Sequence, residues 1–200
     1  MSSAGGQPQK VLISPGALVA VCGPSGAGKD SLLSRVREMN NGAPRIAFPR
    51  RIVTRPVSSF EDHDTATPEA FDRMLANGDL AFWWDAHGLK YGLAASIDND
   101  IRDGRCVVCN VSRAVIPALR HRYAHVMVVL ITAPADILAE RLAVRARVTD
   151  GSLSGRIARS SQLSADLSAD VVIDNTGSIE DGARRLQHVI ESQLIPAPRF

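Results

Sequence analysis

The sequence predicts an α/β domain with a mostly parallel sheet flanked by helices, and three observations predict it. Short β-branched runs alternate with amphipathic stretches at the spacing of βαβ units. The apolar runs are continuous, as strands buried on both faces are. A glycine-rich segment joins the first run to the first helical stretch. A chain of 200 residues suits one such domain and buries a real core.

Taken in order, residues 1–14 read as a loose leader and residues 15–195 as the single domain, with 196–200 as a tail. Ala17–Cys22 is the first strand, followed by the glycine loop and by a helix over Lys29–Met39 with Leu32, Leu33 and Val36 on one face. Asn40-Asn41-Gly42 stops that helix. From about 44 to 101 the rhythm changes, which marks an insertion. Arg50–Arg55 is basic and extended, and Ser58–Ala66 is polar and turn-rich, with His63 and His87 placed in surface loops. Thr67-Pro68-Glu69 opens a helix with an N-cap, Pro at N1 and an early acid, and Gly78 closes it. Leu80–Ala86 and Tyr91–Ala95 form a hairpin, in which adjacent Trp83 and Trp84 must face opposite ways.

Arg105–Val111 and Val126–Thr132 are buried strands with a helix, Ser112–Arg122, between them. Pro134–Arg147 is an amphipathic helix leading into a Gly/Ser/Thr-rich segment, with a further helix over Arg156–Leu167. Val171–Ile173 is a last short strand, and Ser178-Ile179-Glu180-Asp181 opens the final helix with a capping box.

The composition is that of an ordinary globular chain, 45% hydrophobic and 22% charged. No stretch approaches the roughly 20 apolar residues that cross a bilayer, and the start is no secretory signal, so a cytoplasmic address is expected and a membrane is not. The net charge of +2 does not argue for nucleic acid. Arg nevertheless outnumbers Lys twenty to three. That bias reflects either genome composition or bidentate recognition of phosphates. Of three cysteines, Cys106 and Cys109 form a CxxC, but Cys-Val-Val-Cys reads as a buried strand with the two thiols on opposite faces.

The chemistry concentrates in Gly23-Pro24-Ser25-Gly26-Ala27-Gly28-Lys29, which follows a strand and opens a helix. Glycines let successive N–H groups turn inward, and the helix N-terminus adds its dipole, so the segment is a phosphate cradle for ATP. Lys29 brings its charge to the β- and γ-phosphates. The motif expects Ser or Thr next, as a Mg²⁺ ligand, but Asp30 stands there and Ser31 follows. The strand that normally supplies a second acid ends in Asn110. Either the site has exchanged its parts, with Asp30 and Asn110 serving the metal, or Asp30 merely caps the helix.

Arg141, Arg145, Arg147, Arg156 and Arg159 bracket the flexible segment about 145–159, the place for a lid that closes over a transferring phosphoryl group. Arg145 and Arg159 are the preferred catalytic pair. In the insertion, Arg51, Thr54 and Arg55 are candidates for an acceptor phosphate, joined by the Tyr91 hydroxyl.

From Gly23–Lys29 through Val53-Thr54-Arg55-Pro56 and Tyr91-Gly92 to the lid arginines, the sequence resembles the guanylate kinase superfamily. Within it, Gly-Pro-Ser-Gly-Ala-Gly-Lys-Asp-Ser-Leu-Leu, His87–Gly92 and Asn110-Val111-Ser112-Arg113-Ala114 resemble the ribose 1,5-bisphosphate phosphokinases of phosphonate catabolism. The resemblance implies a P-loop kinase fold with a substrate-binding insertion and a small lid. It also implies ATP, Mg²⁺, a small phosphorylated sugar as partner, and a product that carries its diphosphate on C1. Ser112 and Arg113 then join the substrate site. Where guanylate kinases read guanine, a hand alignment places Phe82, Leu93 and Ser112. A pocket built to hydrogen-bond a base cannot exchange its acids for Phe and Leu and keep the base. The alternatives are a guanylate or other nucleoside monophosphate kinase and, further off, a non-catalytic interaction module of the same fold. A homodimer is left open.

Overall fold

The computed structural model describes residues 11–56, 63–86, 88–149 and 169–194, and for 144–149 the backbone alone. Its centre is a five-stranded, all-parallel sheet. The strands are β1 (Ala17–Cys22), β2 (Ile46–Ala47), β7 (Cys106–Asn110), β8 (Val126–Thr132) and β9 (Val171–Asp174), in the order β2-β7-β1-β8-β9. Every residue of β1 is buried, as its unbroken Ala-Leu-Val-Ala-Val-Cys run requires of a middle strand covered on both faces.

Side-chain alternation sorts the sheet's residues between two cores. Val19, Val21, Cys106, Val108, Val129 and Ile131 meet α1 (Lys29–Met39) and the last helix, α6 (Ile179–Ser192), through Leu32, Val36, Leu186 and Ile190. Leu18, Ala20, Val107 and Cys109 face the other way, onto α3 (Ile97–Arg102) and α4 (Ile116–Arg122) through Ile97, Ile101 and Leu119. Cys106 and Cys109 therefore lie in opposite cores, both reduced and buried, and burial pushes each thiol pKa up to about 12.

A second, four-stranded sheet packs on that second core. It comprises β3 (Arg51–Val53), β4 (His63–Thr65), β5 (Leu80–Ala86) and β6 (Leu89–Ala94), ordered β4-β3-β6-β5. β5 and β6 form the expected hairpin, and Trp84 is buried while Trp83 is 47% exposed. α2 (Pro68–Asn77) covers this sheet with Phe71. It begins at Thr67, whose Oγ1 accepts from the Ala70 N–H, and ends at Gly78 in the left-handed region.

Several expectations need correction. The insertion starts later than residue 44, because Ile46–Ala47 pairs with β7 as the edge of the parallel sheet. It also closes before α3, a helix that the sequence reading missed, and which packs beside β7. His63 is no surface residue: it is buried on β4, which runs parallel to β3 where a polar loop was expected. Only a tertiary partner decides this, since His-Asp-Thr carries no strand pattern of its own. Of the expected leader 1–14, Ile13 is tied to the domain: it bridges to Tyr123, and its backbone bonds with Arg122 and Ala124. The Ser112–Arg122 helix splits into a 3₁₀ turn, Arg113–Val115, and α4, as Pro117 in the first turn of α4 favours. α5 (Ala135–Thr149) outlasts its expected end at Arg147 by two residues. The final helix opens as expected, with Ser178 Oγ accepting from the Asp181 N–H.

Candidate active site

The glycine loop leaves the carboxyl end of β1, between its neighbours β7 and β8, where open parallel sheets hold their ligands. Gly23, at φ 146°, begins the turn, and a Cβ there would stand 2.0 Å from the Ile131 carbonyl oxygen. Only glycine lets the loop pass this close to β8. Pro24, Ser25, Gly26 and Gly28 are half-buried around a buried Ala27, and Ser31 turns to solvent. The Lys29 ammonium donates to the Gly23 and Pro24 carbonyls at 2.9 and 2.8 Å, so its charge is held at the mouth of the loop.

Asp30 does not cap α1. The cap position is Gly28, without a side-chain bond. Instead Asp30 Oδ1 accepts from Arg51 Nη2 at 3.1 Å and from Asn110 Nδ2 at 2.9 Å. Three residues 21 to 80 positions apart thus meet in one cluster, from the helix start, the first insertion strand and the end of β7. The cluster answers the charge problem that Asp30 poses beside a polyanion. Its carboxylate is paired with a guanidinium that is 12% exposed, and it accepts a second bond from a buried amide.

A cavity opens beside this cluster. Asp30, Ser34 and Arg37 line it from one face of α1, Arg51 and Asn110 from across, and Phe48 and Val108 give it an apolar floor. Arg37 sits 5.8 Å from the Phe48 ring centroid. Arg37 escaped the sequence reading, although the spacing of 30, 34 and 37 on a helix is a readable signal for one shared face.

The other candidates fall in different places. Thr54 Oγ1 accepts from the Lys90 N–H at 2.9 Å, and the Thr54 N–H donates to the Lys90 carbonyl, which ties the end of β3 to β6. Tyr91 is buried, with its ring stacked on Trp84 at 5.6 Å. Arg55 is half-buried just past β3. Ser112 Oγ accepts from the Ala114 N–H and so begins the 3₁₀ turn that carries Arg113. Arg113 and Lys29 both lie close enough to Cys22 to oppose the effect of burial, which still lifts that thiol to about 11. The side chains of Arg145 and Arg147, and the whole of Arg156 and Arg159, lie outside the described residues.

Phe82 and Leu93 face each other across the hairpin and point into the core. Leu93 is fully buried, and the Phe82 ring lies 5.7 Å from that of Tyr123, with the Arg122 guanidinium 5.6 Å from its centroid. No polar group is left at either position for a base to meet.

Among curated proteins, the chain is 50% identical over 181 residues to a ribose 1,5-bisphosphate phosphokinase from Bradyrhizobium diazoefficiens, covering 90% of this chain and 91% of that one. It belongs to the ribose 1,5-bisphosphate phosphokinase family. The phosphokinase of Rhodopseudomonas palustris is 51% identical over 179 residues, covering 90% of each chain. A third, from a Chelativorans strain, is 47% identical over 175 residues, with 86% of this chain and 84% of that one covered. No family model matches the chain. Among solved structures, guanylate kinase from Anaplasma phagocytophilum superposes with a TM-score of 0.66 at 19% identity, covering 93% of this chain and 90% of that one. The phosphokinase fold is therefore that of a guanylate kinase, as the sequence predicted.

Proposed function

We propose that the protein transfers the γ-phosphoryl group of ATP to the C1 phosphate of ribose 1,5-bisphosphate, giving 5-phospho-α-D-ribose 1-diphosphate. The observation that carries this reading is the pairing of the phosphate loop with an insertion in which Leu93 is buried in the core and Phe82 packs against it, at positions expected to read guanine in a guanylate kinase. The identity of about 50% to named phosphokinases over nine-tenths of the chain supports the same substrate.

The attacking atom is a phosphate oxygen, already anionic near neutral pH, so no general base is needed. The protein's task is alignment and charge neutralisation. Lys29 exchanges its two loop carbonyls for phosphate oxygens of ATP. Arg55 and Arg113 hold the acceptor, with the Tyr91 hydroxyl as a further donor, while Arg51 neutralises Asp30 between the two substrates. Arg145 and Arg159 close over the transferred group.

Mg²⁺ suits the Asp30–Asn110 pair. Among the described residues, both contacts of Asp30 use Oδ1 and Asn110 contributes its Nδ2, so one carboxylate oxygen and one amide oxygen remain for a hard cation. Mg²⁺ typically takes one or two protein oxygens and fills its remaining positions with water and phosphate. Among the described residues no three His, Cys, Asp or Glu side chains gather into a cage of their own, which agrees with a metal carried in with the nucleotide. When bound, Mg²⁺ supplies positive charge to the β- and γ-phosphates.

The deciding test is ³¹P NMR of the protein with ATP, Mg²⁺ and ribose 1,5-bisphosphate, beside a parallel sample containing GMP. A new diphosphate doublet pair on C1 of the sugar, with no GDP in the parallel sample, is the expected result. GDP formation without sugar diphosphate would overturn the proposal.

A further inference from the structure

Asn175 follows β9 and is one of the few buried polar residues, 5% exposed. Its main-chain N–H, its carbonyl and its side-chain Nδ2 each meet a specific neighbour. Its N–H donates to the Thr132 carbonyl at the end of β8, at 2.8 Å. Its carbonyl accepts from Arg141 Nη2 of α5 at 3.0 Å. Its side-chain Nδ2 reaches 148 residues back and donates to the Ala27 carbonyl inside the phosphate loop, at 2.8 Å.

Two glycines leave room for that amide. A Cβ on Gly28 would stand 2.4 Å from Asn175 Nδ2, and a Cβ on Gly182 of α6 would stand 2.8 Å from both Asn175 Oδ1 and Leu32 Cδ2. Gly182 lies in the interior of α6, where glycine costs helix stability without such a reason. A loop that presents N–H groups to phosphates must turn carbonyls the other way, and a buried carbonyl needs a donor.

We propose that Asn175 is a positioning residue for nucleotide binding. It holds the Ala27 peptide with its carbonyl inward, and so presets the loop before ATP arrives. Through its carbonyl it also joins the loop to α5, the helix that leads to the proposed lid. The proposal rests on the reading of Gly23–Lys29 as the nucleotide site, and is independent of which acceptor is phosphorylated.

The test is titration calorimetry with ADP, together with steady-state kinetics. Asn175→Ala removes one buried hydrogen bond and leaves the Ala27 carbonyl unsatisfied, so ADP affinity should fall about tenfold. KM for ATP should rise in step while KM for the sugar phosphate stays put. Gly182→Ala, which keeps Asn175 but crowds its amide, should weaken ADP in the same direction. In the Asn175→Ala background its effect on ADP should be smaller than in the wild type, because only the contact with Leu32 remains crowded. Ile190→Val, on the same helix but away from the loop, reports general destabilisation and should leave ADP affinity unchanged. ADP binding at wild-type strength in Asn175→Ala would overturn the assignment, as would full additivity of the two substitutions. Should Asn175→Ala fail to fold, Asn175→Asp, which keeps the size and removes the Nδ2 donor, decides by the same titration. A wild-type protein that bound no ADP would overturn the nucleotide reading as well. A response to ADP without sugar turnover would remove the acceptor alone.

Discussion

The phosphate loop and the insertion sheet meet at the Asp30–Arg51 pair and are built by opposite means. In the loop, function lies in the backbone: seven consecutive residues form the cradle, and Gly23 admits no side chain because β8 runs 2.0 Å from where its Cβ would be. In the insertion, identity lies in side chains that are distant in sequence and meet only on folding. Phe82, Trp84, Tyr91 and Leu93 form an apolar face against the parallel sheet. The first region is thus written in local geometry and the second in packing. Substitutions in the loop should therefore change rates with little loss of stability, and substitutions in the insertion core should do the reverse.

The largest separation is expected between the two tryptophans. Trp84→Ala should lower unfolding stability by about 3–5 kcal/mol in urea titrations, through the cavity it leaves in the core. Trp83→Ala, on the solvent side of the same strand, should lower it by about 1 kcal/mol or less. Equal losses would mean that the sheet does not pack as described.

Lys29→Met should reduce kcat by about 10²–10³-fold, the scale of removing one donor aimed at developing charge. Its melting temperature should stay near that of the wild type, and a large drop would break the contrast between the two regions.

Asp30 and Arg51 bridge the two regions, so they sharpen the comparison. Arg51→Met leaves the Asp30 carboxylate without its cation beside two anionic substrates, and KM for ATP should rise about tenfold. Asp30→Ser should shift the Mg²⁺ concentration for half-maximal turnover. Unchanged metal dependence would remove Asp30 from the metal site and leave it as the partner of Arg51.

The smallest effect is expected away from the cleft, at Asp98. Burial alone would raise its pKa, but hydrogen bonds from Arg122 and the Tyr123 hydroxyl outweigh burial and hold it below the usual carboxylate value. A depressed folded-state pKa stabilises the protein above the unfolded-state value, and that stability is lost as pH falls through the folded-state value. Melting temperature measured downward from pH 6 should therefore decline on acidification. Asp98→Asn should flatten the decline, and an unaltered slope would place the acid sensitivity elsewhere.

The amino-acid sequence by itself determined the strand and helix order apart from β2, β4 and α3, both caps of α2, the cradle Gly23–Lys29 and the departure at Asp30. Each of these is set by residues within a few positions of one another, where local sterics and hydrogen bonding act without a distant partner. Arg145 and Arg159, assigned from sequence to the lid, stay part of the proposal. Tertiary structure alone decided the rest. Arg51, expected as a handle for the acceptor, lies against Asp30, because a carboxylate beside a phosphate site requires a cation and β3 delivers one. Thr54 is engaged by the hairpin, His63 is buried in a strand, and Asn175 reaches the loop from the far end of the chain. Such pairings join residues up to 148 positions apart. They are settled by where the sheet brings its strand ends together, and no periodicity in the chain records that.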